Sequence, residues 1–334
     1  MTTYTERQRG SRLADLVAEH AQVLSIATFF VLCLAFFGLM NNNFLTLSNL
    51  LNVLRQAAPI LIVAVAMTLV IATAGIDLSV GSMVALINAT AAIVIAAGVS
   101  WPLAIVLMLL MGALIGGVQG WFISYQGIPA FIVTLAGLSI LRGAALFLTE
   151  GYSIPIRDAG GFFWLGRGEV LGLPVPALLA VLVAVLGFVV MRKTAYGRQV
   201  ISVGSNMEAA RRVGMPAKRV LASVYVVAGV ACAVAAILLA ARLGSGSSNS
   251  AQGFELQVIA AVVLGGTALQ GGKASMLGTV LGTMTIAVIG NGLILINISP
   301  FFTQIVTGTI ILIAIWMNTR LFDRRWRRSK RKPA

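Results

Sequence analysis

Apolar runs of about 18 or more residues recur along this chain, separated by short polar breaks, the pattern expected of helices that cross a bilayer. We read ten such spans, at roughly 23–40, 58–75, 79–98, 102–122, 128–149, 174–191, 220–241, 256–271, 275–294 and 301–318. A membrane barrel would instead show short segments of alternating hydrophobicity. The expected fold is therefore all-α, a polytopic membrane protein with about ten transmembrane helices. Residues 1–22 form an N-terminal segment, 23–318 a single transmembrane domain and 319–334 a basic tail. The start does not read as a cleavable signal peptide. Arg7, Arg9 and Arg12 mix with Glu6, Asp15 and Glu19, and no small-x-small site follows the first apolar run.

One polar break is long. Residues Arg192 to Val220 read RKTAYGRQVISVGSNMEAARRVGMPAKRV, an aqueous loop between two spans. It carries the signs of a short helix. Ser205 and Glu208 have the spacing of an S-x-x-E capping box, and Gly214 followed by Pro216 gives a stop. Glu208 near the start and Arg211 and Arg212 near the end suit the helix dipole. Two turns of helix do not hold together alone in water. The expectation is that this helix persists by docking on another protein. Met207, Ala210 and Val213 recur at three-residue spacing and are read as an apolar ridge for that contact.

Charge then sets orientation. The composition is 59% hydrophobic and 10% charged, with mean hydropathy +0.97, against roughly a quarter charged in soluble domains. The net charge is +14. Counting the N-terminal segment, the 192–219 loop, Lys273 and the tail, 19 of the 24 basic residues fall on one face if there are ten spans. By the positive-inside rule that face, with both termini, is cytoplasmic. The tail run RRWRRSKRK is read as an anchor on anionic lipid rather than a nucleic-acid contact.

Few residues carry chemistry. GGTALQGGKA (265–274) resembles a phosphate loop but has Thr267 where a glycine is required and Ala274 where a serine or threonine is required. His20 is the lone histidine, and Cys33 and Cys232 lie inside apolar runs, so neither a metal site nor a disulfide framework is expected. No catalytic set and no cofactor is expected. Asp77 has two readings: an N-cap for the third span, or a functional acid at membrane depth. Asn88 and Asn291 are possible pathway residues or helix-to-helix ties. Arg142 is expected to snorkel towards the outer face. Gly112, Gly116 and Gly120, and likewise Gly278 and Gly282, are spaced for close helix approach, either within the chain or across a homodimer. GIDLSVG (75–81) and GTALQGG (266–272) echo each other, either by duplication or by chance.

Tyr196-Gly197-Arg198, Gly204-Ser205-Asn206, Glu208-Ala209-Ala210-Arg211 and Gly214 resemble the cytoplasmic loop of bacterial ABC-importer permeases of the ribose type. TAGIDLSVGSMVAL (73–86), GIPAFIVTLAGLSILRG (127–143), VLGGTALQGGKASMLGT (263–279) and NGLILINISPFFTQIVTGTIIL (291–312) are similar to the same family, in order and over nearly the full length. Gln119 departs from the asparagine usual before Gly120, and Ser205 from the residues usual after Gly204. The resemblance implies a type II importer permease of the bacterial inner membrane, not itself an enzyme. A separate cytoplasmic ABC ATPase would drive it, a periplasmic sugar-binding protein would supply a monosaccharide, and a second permease copy would complete a homodimer. It implies that Gly204, Ser205, Asn206, Met207, Glu208, Ala209, Ala210, Arg211 and Gly214 form the element that couples to the ATPase. The rival expectation is an ion-gradient-driven secondary transporter with Asp77 as its coupling acid.

Overall fold

The computed structural model describes residues 21–157 and 159–299, with Phe302, Ile305, Gly308, Thr309, Leu312 and Ile313. Two thirds of the expected tenth span fall outside the described residues, as do most of the N-terminal segment and all of the tail. The described helices are α1 (Ala21–Met40), α2 (Leu47–Ala72), α3 (Val80–Ala96), α4 (Trp101–Ser124), α5 (Ala130–Thr149), α6 (Phe162–Arg167), α7 (Val175–Lys193), α8 (Ala195–Ser205), α9 (Met207–Arg212), α10 (Ala217–Leu243), α11 (Phe254–Leu264) and α12 (Met276–Leu295). Four short strands complete the order: β1 (Ser153–Pro155), β2 (Glu169–Val170), β3 (Leu173–Pro174) and β4 (Ser245–Ser247). β1 pairs antiparallel with β4, and β2 with β3.

Seven of the described helices (α1, α2, α4, α5, α7, α10 and α12) are long and apolar enough to cross a membrane. The bundle has an inner and an outer layer. α2 and α10 are mostly buried, whereas α1, α4, α5 and α7 leave most of their apolar residues uncovered, among them Leu39, Leu110, Leu114 and Phe147. A soluble protein seldom exposes so much apolar surface; a lipid-facing bundle does.

Two spans differ from the sequence reading. α2 starts at Leu47, not near 58, with Thr46 accepting the Asn49 N–H as its cap. Its first turns hold Asn49, Asn52, Arg55 and Gln56, and Pro59 lies inside the helix, so the apolar signal begins late. The eighth span is shorter than read. α11 has 11 residues, about 16 Å at 1.5 Å per residue, roughly half a bilayer core. Irregular chain follows from Gly265 to Ser275, where Gly266, Gly271 and Gly272 adopt positive φ.

The glycine stripes are used inside the chain. A Cβ on Gly112, Gly116 or Gly120 would stand 2.3, 2.2 or 2.6 Å from backbone oxygens of Gly229, Tyr225 and Ala222, so α4 and α10 pack backbone to backbone. Gly278 and Gly282 face α11 in the same way, 1.8 and 2.1 Å from the carbonyl oxygens of Gly265 and Ala261.

Candidate functional site

The end of the bundle where α7 gives way to α10 is built from α8 and α9. Thr194 opens α8 by accepting the Gly197 N–H, and Val200 and Val203 bury it against the body. The Tyr196 hydroxyl pairs with Ser223 of α10 at 2.7 Å; burial pushes its pKa up, and the hydrogen bond partly offsets this.

The cap of α9 differs from the sequence reading. Asn206 sits in extended backbone between the two helices, and its Oδ1 accepts the Ala209 N–H at 2.9 Å. Ser205 is still helical in α8, and its hydroxyl donates back to the Ile201 carbonyl at 2.8 Å. The capping box is therefore not made. Asparagine caps as well as serine, and the residue whose backbone breaks the helix takes the role. Glu208 instead pairs with Arg212 one turn on, at 3.4 Å, with both side chains largely exposed, which contributes little. The stop is as expected. Gly214 has φ +80°, its N–H reaches the Arg211 carbonyl, and the Met215 N–H reaches that of Ala210, the two bonds of a Schellman closure.

The apolar ridge is also corrected. Ala210 is 4% exposed and Met207 packs on the core, while Val213 is 72% exposed. The face offered outward is Glu208, Ala209, Arg211, Arg212 and Val213.

α8 joins the body through bare backbone. A Cβ on Gly204 would lie 1.8 Å from the Ala72 carbonyl oxygen at the end of α2 and 2.9 Å from the Gly272 nitrogen. The Gly272 N–H donates to that same Ala72 carbonyl at 3.0 Å. A Cβ on Gly271 would lie 2.7 Å from the Gly204 carbonyl oxygen and 2.8 Å from the Ala74 nitrogen. Three chain segments thus meet largely backbone to backbone, with only the small side chains of Ala74 and Ser205 beside the glycines. The two glycine-rich segments that echo each other in sequence lie on either side of this joint.

Asp77 lies five residues beyond Ala72 and is fully buried. Its Oδ1 accepts the Ser79 N–H at 2.8 Å and the Ser79 hydroxyl at 2.7 Å, closing a turn just ahead of α3. It does not bond the first free amides of α3 itself, whose N-cap position is Ser79. Gln119 donates to the Ser79 hydroxyl at 2.8 Å and so belongs to the Asp77 cluster. Asn88 accepts from the Ser247 N–H and the Ser250 hydroxyl, tying α3 to the 245–250 loop. The Arg142 guanidinium donates to the Ser248 and Ser250 carbonyls of the same loop.

At the end opposite α9 lies a cavity of about 590 Å³, walled by residues 56–60 of α2, the last turns of α10, the loop before α11 with that helix's start, and the second half of α12. Of the three pathway residues named from sequence, Asn291 borders it; Asp77 and Asn88 do not. Asn291 also exchanges hydrogen bonds with Asn49, at 2.9 and 3.1 Å. Sequence reading did not single out Gln56, Gln252 or Gln257, which line the same space.

Comparisons with known proteins agree with this architecture. Residues 49–315 match the family described as branched-chain amino acid transport system / permease component. The chain is 42% identical, over 93% of its length and 94% of the relative's, to the probable ABC transporter permease protein YphD of Escherichia coli K12. It is 40% identical to the ribose import permease protein RbsC of Bacillus subtilis 168, covering 85% of this chain and 88% of that one. It is 32% identical to the xylose transport system permease protein XylH of E. coli K12, covering 88% and 90%. No solved structure matches. With spans of this length and relatives of this kind, the chain belongs to the ABC-importer permease family, as a multi-pass protein of the bacterial inner membrane.

Proposed function

We propose that the chain is the permease subunit of an ATP-driven importer of a neutral monosaccharide, ribose- or xylose-like, with α9 as the element a separate ATPase grips. The relatives named for ribose and xylose support the sugar. The observation that carries the coupling reading is α9 itself: six residues, capped at both ends, with an uncovered outer face. Such a helix is too short to be kept for its own stability. Force on its outer face passes into α8 and, through the Gly204 joint, into the end of α2 and the chain leading to Asp77. The loop 192–219 and both termini are cytoplasmic in this reading, and residues 23–318 form one permease domain. Two copies enclose the pathway, and a periplasmic sugar-binding protein delivers the cargo. The bilayer is the remaining partner; nucleic acid is not one.

Cysteine placed singly at Ala209, Arg212 or Val213 tests the contact. Each is expected to cross-link to the cognate ATPase in membranes, with a yield that changes on adding ATP. Absence of cross-links at all three, with the partners co-purifying, would overturn the coupling role.

A further inference from the structure

The cavity opposite α9 is lined by polar side chains that arrive from four helices and a loop. Gln56 comes from α2, Arg242 from α10, Gln252 from the loop before α11, Gln257 from α11 and Asn291 from α12. Among the described residues, the side-chain amides of Gln56, Gln252 and Gln257 have no hydrogen-bond partner. Arg242 Nη1 is buried and likewise without one. Buried polar atoms are normally paired, so the unpaired Arg242 Nη1 points to a ligand in this space, to which the exposed Gln56 and Gln252 and the half-buried Gln257 offer further amides. The rest of the lining is mostly apolar and includes Pro59, Ile60, Leu239, Phe254 and Ile286.

The donor set selects the ligand class. A carboxamide both donates and accepts, as a hydroxyl does. Four carboxamides therefore complement a molecule with several hydroxyls. Among the described lining residues there is no carboxylate to hold a cation. The Arg242 guanidinium donates to a hydroxyl oxygen as well, so it too fits a neutral ligand. The apolar part of the lining suits the C–H face of a sugar ring. The volume lies in the range of roughly 300–1,000 Å³ usual for small-ligand sites.

We propose that this cavity is a contact site for a neutral monosaccharide, read through Gln56, Gln252, Gln257, Asn291 and Arg242. The proposal rests on the importer reading above and assigns that reading a place in the molecule. Occupancy is brief and weak, because tight capture here would slow release.

The test uses the whole transporter, with cognate ATPase and sugar-binding protein, in liposomes, and D-ribose and D-xylose as probes. The first variant is the triple Gln56→Leu, Gln252→Leu, Gln257→Leu. The second is Gly290→Met, at a lining glycine whose added Cβ meets nothing within 4 Å among the described residues, so the new side chain has room to start into the cavity. In both, ATP hydrolysis stimulated by the binding protein is expected to stay within about two-fold of the unmutated transporter. Sugar delivered per ATP is expected to fall ten-fold or more in both, and the ribose-to-xylose ratio to shift at least three-fold in the triple variant. Unchanged sugar per ATP and an unchanged ratio in the triple variant, or unchanged uptake in Gly290→Met, would overturn the assignment. Failure of the importer reading looks different: the unmutated transporter would then move neither sugar on ATP.

Discussion

Replacing Gly204 by alanine puts the mechanical joint to the test. The added methyl would stand 1.8 Å from the Ala72 carbonyl oxygen and 2.9 Å from the Gly272 nitrogen. Both neighbours are backbone, so no change of rotamer relieves the clash. Contacts below 3.0 Å are not sustained, so the end of α8 must retreat from α2 by roughly 1.2 Å or more. Overpacking of this kind costs about 1–3 kcal/mol. If that cost falls on the seated joint and not on α9, it is a coupling loss of about 5- to 150-fold. The assay is sugar uptake per ATP hydrolysed in liposomes, with thermal melting and gel filtration of the assembled complex as controls. The account expects a complex that still forms and hydrolyses ATP but delivers at least about five-fold less sugar per ATP. Gly204→Ala with wild-type sugar per ATP would refute the idea that this contact transmits force.

Three further substitutions separate the parts of the site. Asn206→Ala removes the cap of α9 at a cost of about 1 kcal/mol and is expected to lower uptake, while Asn206→Ser keeps it; Ser205→Ala is expected to leave uptake near wild type, since its hydroxyl only bonds back within α8. Asp77→Asn keeps an acceptor for Ser79 and is expected to retain most transport. Asp77→Leu strands two buried donors at about 1–3 kcal/mol each and is expected to abolish the folded protein on a melting curve. Gly116→Val forces a side chain towards the Tyr225 carbonyl oxygen 2.2 Å from the Cβ position, so α4 must part from α10 and the purified chain should melt earlier.

Much of the fold is legible in the sequence because lipid imposes a strong length rule, and α1, α4, α5, α7 and α10 lie close to the apolar runs that mark them. The start of α2 was hidden because Asn49, Arg55 and Gln56 dilute the run; Asn49 meets Asn291 and Arg55 meets Glu169, partners 242 and 114 residues away. α11 was read too long because apolar residues continue to the glycines, and hydropathy does not show where helix becomes turn. The existence of α9 and its Gly214 stop were legible from local chemistry. Its cap was not, because choosing between Ser205 and Asn206 requires knowing that α8 is a helix ending at 205, which the loop's polarity conceals. The inward turn of Ala210 follows from the seat α8 provides, and no local pattern records it. The glutamines of the cavity are invisible for the same reason: each is an ordinary polar residue until two helices and a loop bring them together.

The measurement that tests the central claim most directly is sugar accumulation in liposomes holding this chain with and without its cognate ATPase, at fixed ion gradients and with binding protein present. The account predicts accumulation only when ATPase and ATP are both supplied, and none under a proton or sodium gradient alone. Accumulation by the chain alone, driven by such a gradient, would contradict it.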